Sequence, residues 1–182
     1  MKWALILVLL ITSLSGFRKE DETLPWSSGR PLTWNDFKAR PDEYSGNAAL
    51  TSSGIEFKYS YGSDGLSFSI NCLFEKNKSW GKVRTQYILS HEQGHFDISE
   101  LHARKLNRAM KEYRYNEATA SKDIPAIYNH LMKEQTAMQN QYDNETNFSR
   151  NKEMQEIWLE MIDRQLEQYQ DFAHYSSHST SH

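Results

Sequence analysis

Apolar and polar positions along the chain change period twice. From Ala48 the period is two. Ile55, Phe57, Tyr59 and Tyr61 share one face, residues 62–65 carry turn composition, and Leu66, Phe68, Ile70, Cys72 and Phe74 alternate again. Two alternating runs joined by a Gly-rich turn predict a β-hairpin, because successive strand side chains point to opposite faces. Serines and charges at the intervening positions predict one solvated side. Residues 77–81 read as a second turn, 32–37 as an edge strand or a turn, and Arg40-Pro41-Asp42 as a loop.

Near Thr85 the period becomes 3.6. Tyr87, Ile88, His91, His95, Ile98, His102, Leu106 and Ala109 recur at three- and four-residue steps. This predicts a helix over about 85–113. A second helix is predicted over 124–141, with Pro125 in its first turn, where a missing N–H is tolerated. Residues 142–147, Tyr-Asp-Asn-Glu-Thr-Asn, have turn composition. A third helix is predicted over 151–172, with Met154, Ile157, Trp158, Met161, Ile162 and Leu166 as its apolar stripe. The resulting class is α+β: a small antiparallel sheet packed on about three helices, in one domain over 31–173.

The two ends differ from this domain. Met1-Lys2 followed by the apolar run 4–14 and small residues predicts a signal peptide over 1–16. The run is shorter than a bilayer requires, so no stable membrane insertion is expected after its removal. Phe17 stands where a lipoprotein signal needs cysteine. Residues 17–30 are polar and charged, and a flexible lead-in is expected there. Residues 174–182 are Ser/His-rich without an apolar face, and a disordered tail is expected. The expected location is outside the cytoplasm, in the periplasm or beyond it.

Composition narrows the chemistry. The 182 residues carry a net charge of −3, which argues against a nucleic-acid partner. The only cysteine, Cys72, permits no internal disulfide and no cysteine metal site. Any metal must therefore be held by His, Asp or Glu. His91-Glu92-Gln93-Gly94-His95 is an H-E-x-x-H pattern on the best-defined helix. Histidines four apart share a face and grip one metal ion, and the glutamate between them serves as general base. Gly94 costs about 0.8–1 kcal/mol relative to alanine inside a helix, which suggests a close approach to the backbone there.

The third ligand must come from elsewhere. At about 100° per residue, Asp97 and Glu100 point away from the histidine face, and Glu100 is better placed to pair with Arg104. His102 shares that face but lies about 10 Å further along the axis than His95. It is expected to pack or to support the site. His130, Glu134, Asp143 and Glu145 remain, and Asp143 is favoured because a turn after the second helix can fold back over the motif. Tyr142 beside it is a candidate oxyanion donor.

Residues 32–37, 48–57, 90–98 and Tyr142-Asp143-Asn144-Glu145-Thr146, with Gln155 and Trp158, resemble a bacterial family of predicted secreted zinc-dependent proteases, catalogued as a domain of unknown function. The resemblance implies a zincin-like fold and peptidase activity. In that family a His-Gly pair often follows the "YDxET" element. Here Phe148-Ser149 stand instead, which points to Asp143 as the ligand. The expected function is an exported metallopeptidase holding one Zn2+ through His91, His95 and Asp143, with Glu92 and Tyr142 catalytic and a peptide or protein as substrate. The alternative is a catalytically silent exported domain that binds a partner or envelope component.

Overall fold

A computed structural model describes residues 22–175 and, as backbone, 178–180. The expected signal peptide lies outside the described residues. The class is α+β, with three helices and small antiparallel sheets. The predicted hairpin is present: β1 (Thr23–Pro25) and β2 (Ala49–Leu50) precede β3 (Ser53–Gly62) and β4 (Gly65–Glu75), which pair antiparallel from Ser53↔Phe74 to Gly62↔Gly65. β1 pairs with the end of β4. β5 (Trp80–Gly81) pairs with β2 to form a second, two-stranded sheet. Three helices follow: α1 (Gln86–Glu112), α2 (Glu117–Thr146) and α3 (Lys152–Gln168). A 3-10 turn (Gln170–Phe172) comes next, and β6 (His178–Thr180) closes the described chain.

The period-two reading locates the core. Leu66, Phe68, Ile70, Cys72 and Phe74 are all buried. They pack against Leu89, Phe96, Ala103, Leu106 and Met110 of α1. The opposite flank of α1, through Ile98 and Leu101, packs on Tyr142, Trp158, Ile162 and Leu166. α1 is thus enclosed by the sheet on one side and by α2 and α3 on the other. Thr85 caps its start by accepting from the Ile88 N–H at 3.2 Å.

Residues 32–37 take the turn of the two expected alternatives, because Asp36 accepts from the Thr33 N–H and hydroxyl, both at 2.8 Å, and pairs with Arg30. Four boundaries differ from expectation. Thr23–Pro25, inside the expected flexible lead-in, form β1 by pairing with the end of β4. α2 starts earlier than 124: Asn116 caps it, and burial of Ala120 and Ile124 holds the extra turns despite the internal Pro125. Residues 142–146 are the last turn of α2 and no loop. Their side chains have turn propensity, but Tyr142 and Thr146 are fully buried one helical turn apart, and tertiary packing overrides propensity. In the expected tail, His178–Thr180 pair with Leu66–Phe68 of β4, a stretch of edge that β1 leaves open. The Tyr175 hydroxyl donates to Glu100.

Candidate metal centre

His91 and His95 lie one turn apart on α1, and Asp143 reaches them from α2. His91 Nε2 and His95 Nε2 are 3.2 Å apart. Asp143 Oδ1 is 3.3 Å from the first and 3.1 Å from the second. The three groups present one ligand atom each toward a shared point and can hold a metal ion. The helical placement of Asp143 fixes it more rigidly than the expected turn. Burial alone would raise the Asp143 carboxyl, but the two imidazoles beside it hold it well below the usual carboxylate range.

Gln139, one turn before Asp143, sets the tautomer of His95. Its Nε2 donates to the His95 carbonyl at 2.8 Å, which fixes the amide orientation. Its Oε1 then faces His95 Nδ1 at 2.5 Å. An acceptor there means that Nδ1 carries the proton, so in the neutral ring Nε2 has a lone pair aimed at Asp143. Those two acceptors, 3.1 Å apart, then need a proton or a metal cation between them. That donor set fits a metal. Gln135, another turn back, donates to Ser99 Oγ at 2.8 Å, and Ser99 bonds Ser53 Oγ at 2.8 Å, tying α2 and α1 to β3. The sequence reading missed Gln139. Its signal was the four-residue spacing 135–139–143, visible only once α2 extends through Asp143.

Glu92 is 3% exposed, and its Oε2 has no hydrogen-bond partner among the described residues. Burial raises its pKa against the lowering field of His95. It borders an open cavity of about 410 Å³ shared with His91, His95 and Asp143. Residues 47–53 form one wall of that cavity, and α2 forms another. The Thr51 hydroxyl donates to the Glu92 carbonyl at 3.2 Å and fastens this wall to α1.

Tyr142 sits beneath the histidines. It is fully buried, its ring stacks on His91 at 4.6 Å, and its hydroxyl donates to the His91 carbonyl at 3.3 Å. This geometry orients His91 and turns the hydroxyl away from the cavity, unlike the expected oxyanion donor. It also explains Gly94. A Cβ there would meet Tyr142 Oη at 2.6 Å and Cζ at 2.9 Å.

The remaining candidates lie apart from this triad. His130 pairs with Glu134 at 3.3 Å, with both side chains exposed. Glu145 accepts from Trp158 Nε1 at 2.8 Å. His102 is buried and donates through Nδ1 to the Ile98 carbonyl at 2.9 Å. Asp97 accepts from Trp26 and Gln93, and Glu100 pairs with Arg104 at 2.8 Å.

Residues 32–152 match the family model described as a bacterial protein of unknown function, DUF922. No curated protein and no solved structure matches the chain.

Proposed function

The chain belongs to the DUF922 family of bacterial proteins, and from that premise we propose that it is a zinc-dependent peptidase acting outside the cytoplasm. The observation that carries this reading is Glu92, buried with a free carboxylate oxygen beside two histidines and an aspartate in an open cleft. A purely structural metal site has no use for such a group. Zinc is favoured by spacing. A tetrahedral ion with bonds of about 2.0–2.1 Å separates its ligand atoms by about 3.3 Å, and the three observed separations are 3.1, 3.2 and 3.3 Å. Export is supported by the apolar run after Met1-Lys2.

His91 Nε2, His95 Nε2 and Asp143 Oδ1 would hold the zinc ion, which would supply a Lewis acid for the peptide carbonyl and for water. Glu92 takes the proton as water oxygen bonds to the carbonyl carbon. Its raised pKa suits it to hold that proton until the C–N bond breaks and the amine leaves with it. Gln139 holds the His95 proton on Nδ1, so that Nε2 faces the metal site, and Tyr142 keeps the His91 ring in place.

The test is zinc content together with cleavage of a peptide library. The parent chain should bind one zinc ion and cleave. His95→Ala and Asp143→Ala should lose both properties, and Glu92→Ala should keep zinc and lose cleavage. A parent that binds no zinc overturns the reading. Zinc without cleavage leaves the silent binding domain.

A further inference from the structure

Beyond α2 the backbone passes through three consecutive left-handed residues: Asn147 (φ 50°), Phe148 (φ 51°) and Ser149 (φ 67°). None is glycine. Asn147 is a helix C-cap, where asparagine tolerates this geometry. A phenylalanine rarely adopts it, and such backbone persists where its surroundings over-determine it. Here the Phe148 N–H donates to the Asp143 carbonyl at 2.8 Å and the Asn151 N–H to the Thr146 carbonyl at 2.8 Å. Arg150 anchors the turn to the facing loop, donating to the Gly46 carbonyl at 2.9 Å. The turn is thereby fixed to the residue that supplies the third ligand.

The Phe148 side chain does not serve the core. It is 38% exposed and belongs to neither hydrophobic cluster. Instead it lines the cavity that holds the triad and Glu92. Leu50 of β2, also 38% exposed, is the other large exposed apolar side chain lining this cavity among the described residues. The rest of the lining is mixed, with Ala48 and Ala49 beside polar side chains such as Thr51, Gln135, Thr136 and Gln139. Two exposed large apolar side chains lining one cleft, one of them held in a disfavoured backbone conformation, are the kind of surface that meets a ligand.

We infer that Phe148 and Leu50 form an apolar subsite that receives one hydrophobic side chain of the peptide bound at the metal. The inference rests on the peptidase reading and names its substrate class: peptides with an aliphatic or aromatic residue beside the bond to be cut. Filling or emptying an apolar subsite by a few methylenes changes affinity by about 10–200-fold.

The test measures binding apart from turnover. The zinc-loaded full chain is titrated with two peptide hydroxamates that differ only in bearing a leucine or a glycine side chain. The leucine ligand should bind at least about tenfold tighter. Phe148→Ala and Leu50→Ala should each bring that ratio below about threefold. Phe148→Gly should do the same while holding or raising the thermal midpoint, since glycine accepts the left-handed geometry. This separates the loss of preference from unfolding. Equal affinities in the parent, a ratio unchanged in the variants, or no binding of either ligand overturns the inference. A parent that discriminates but cleaves no peptide keeps the subsite and removes the peptidase reading. A parent that cleaves without discriminating does the reverse.

Discussion

Replacing Gln139 by alanine tests the logic of the metal centre most directly. The side chain makes two bonds to one ligand residue: Oε1 to His95 Nδ1 at 2.5 Å and Nε2 to the His95 carbonyl at 2.8 Å. Each such bond contributes about 0.5–1.5 kcal/mol net, so their loss removes about 1–3 kcal/mol. Without the acceptor, His95 also samples the tautomer that carries its proton on Nε2, which cannot bind metal. Loss of an outer partner of a ligating histidine typically weakens metal binding 10–100-fold, or about 1.4–2.7 kcal/mol, in the same range. Zinc affinity should therefore fall by that factor in a competition titration against a chromophoric chelator. Gln135→Ala is the control. Gln135 bonds Ser99 and no ligand, so affinity should stay within about threefold of the parent, as for a surface change of up to about 0.5 kcal/mol. Equal zinc affinity for Gln139→Ala and the parent would refute the assignment of tautomer and ligand.

Gly94→Ala should destabilise the fold by about 1–3 kcal/mol in denaturant titrations, because the new methyl meets the buried Tyr142 ring. Adding Tyr142→Phe removes the nearest atom and should restore part of that loss. His102 gives a pH dependence: burial lowers its pKa from 6.5 to about 4. As pH falls the unfolded chain takes up the proton first, so this contribution is whole above about pH 6.5 and lost toward pH 4, by about 3 kcal/mol in all. His102→Met should flatten the stability profile across that window. Arg104→Met leaves Glu100 buried without its cation, and the midpoint of unfolding should drop by the equivalent of about 3–5 kcal/mol. Near-parent stability there would mean that the Tyr175 hydroxyl alone satisfies Glu100.

The parts of this fold that are legible in sequence are those set by local period. The hairpin over Ser53–Glu75 and the helix carrying His91 and His95 follow from spacing alone, because each buries a full stripe of apolar side chains. Asp143 was reachable as a candidate, but its element was not. Asp-Asn-Glu-Thr reads as a turn, and the helix there depends on Tyr142 and Thr146 finding burial against α1 and α3, a contact with no local signature. The same nonlocal origin hid Gln139. The left-handed path through Phe148 was hidden more deeply, since phenylalanine carries no preference for it. β6 was missed because its pairing depends on how far β1 covers β4, a matter of tertiary register.

The centre draws on two helices separated by a long stretch of chain: His91 and His95 on α1, and Asp143 near the end of α2. That separation sets an order of events. A growing or unfolded chain offers at most the two histidines, and those share a face only where α1 is already wound. All three donors converge after α2 has docked along α1, with Tyr142 seated under His91. On the proposed metal reading, capture would be a late step that registers completed assembly, and a peptide spanning α1 alone would hold the ion weakly. A bound ion would clip the two helices together across the intervening loop and oppose their separation, as a cross-link would.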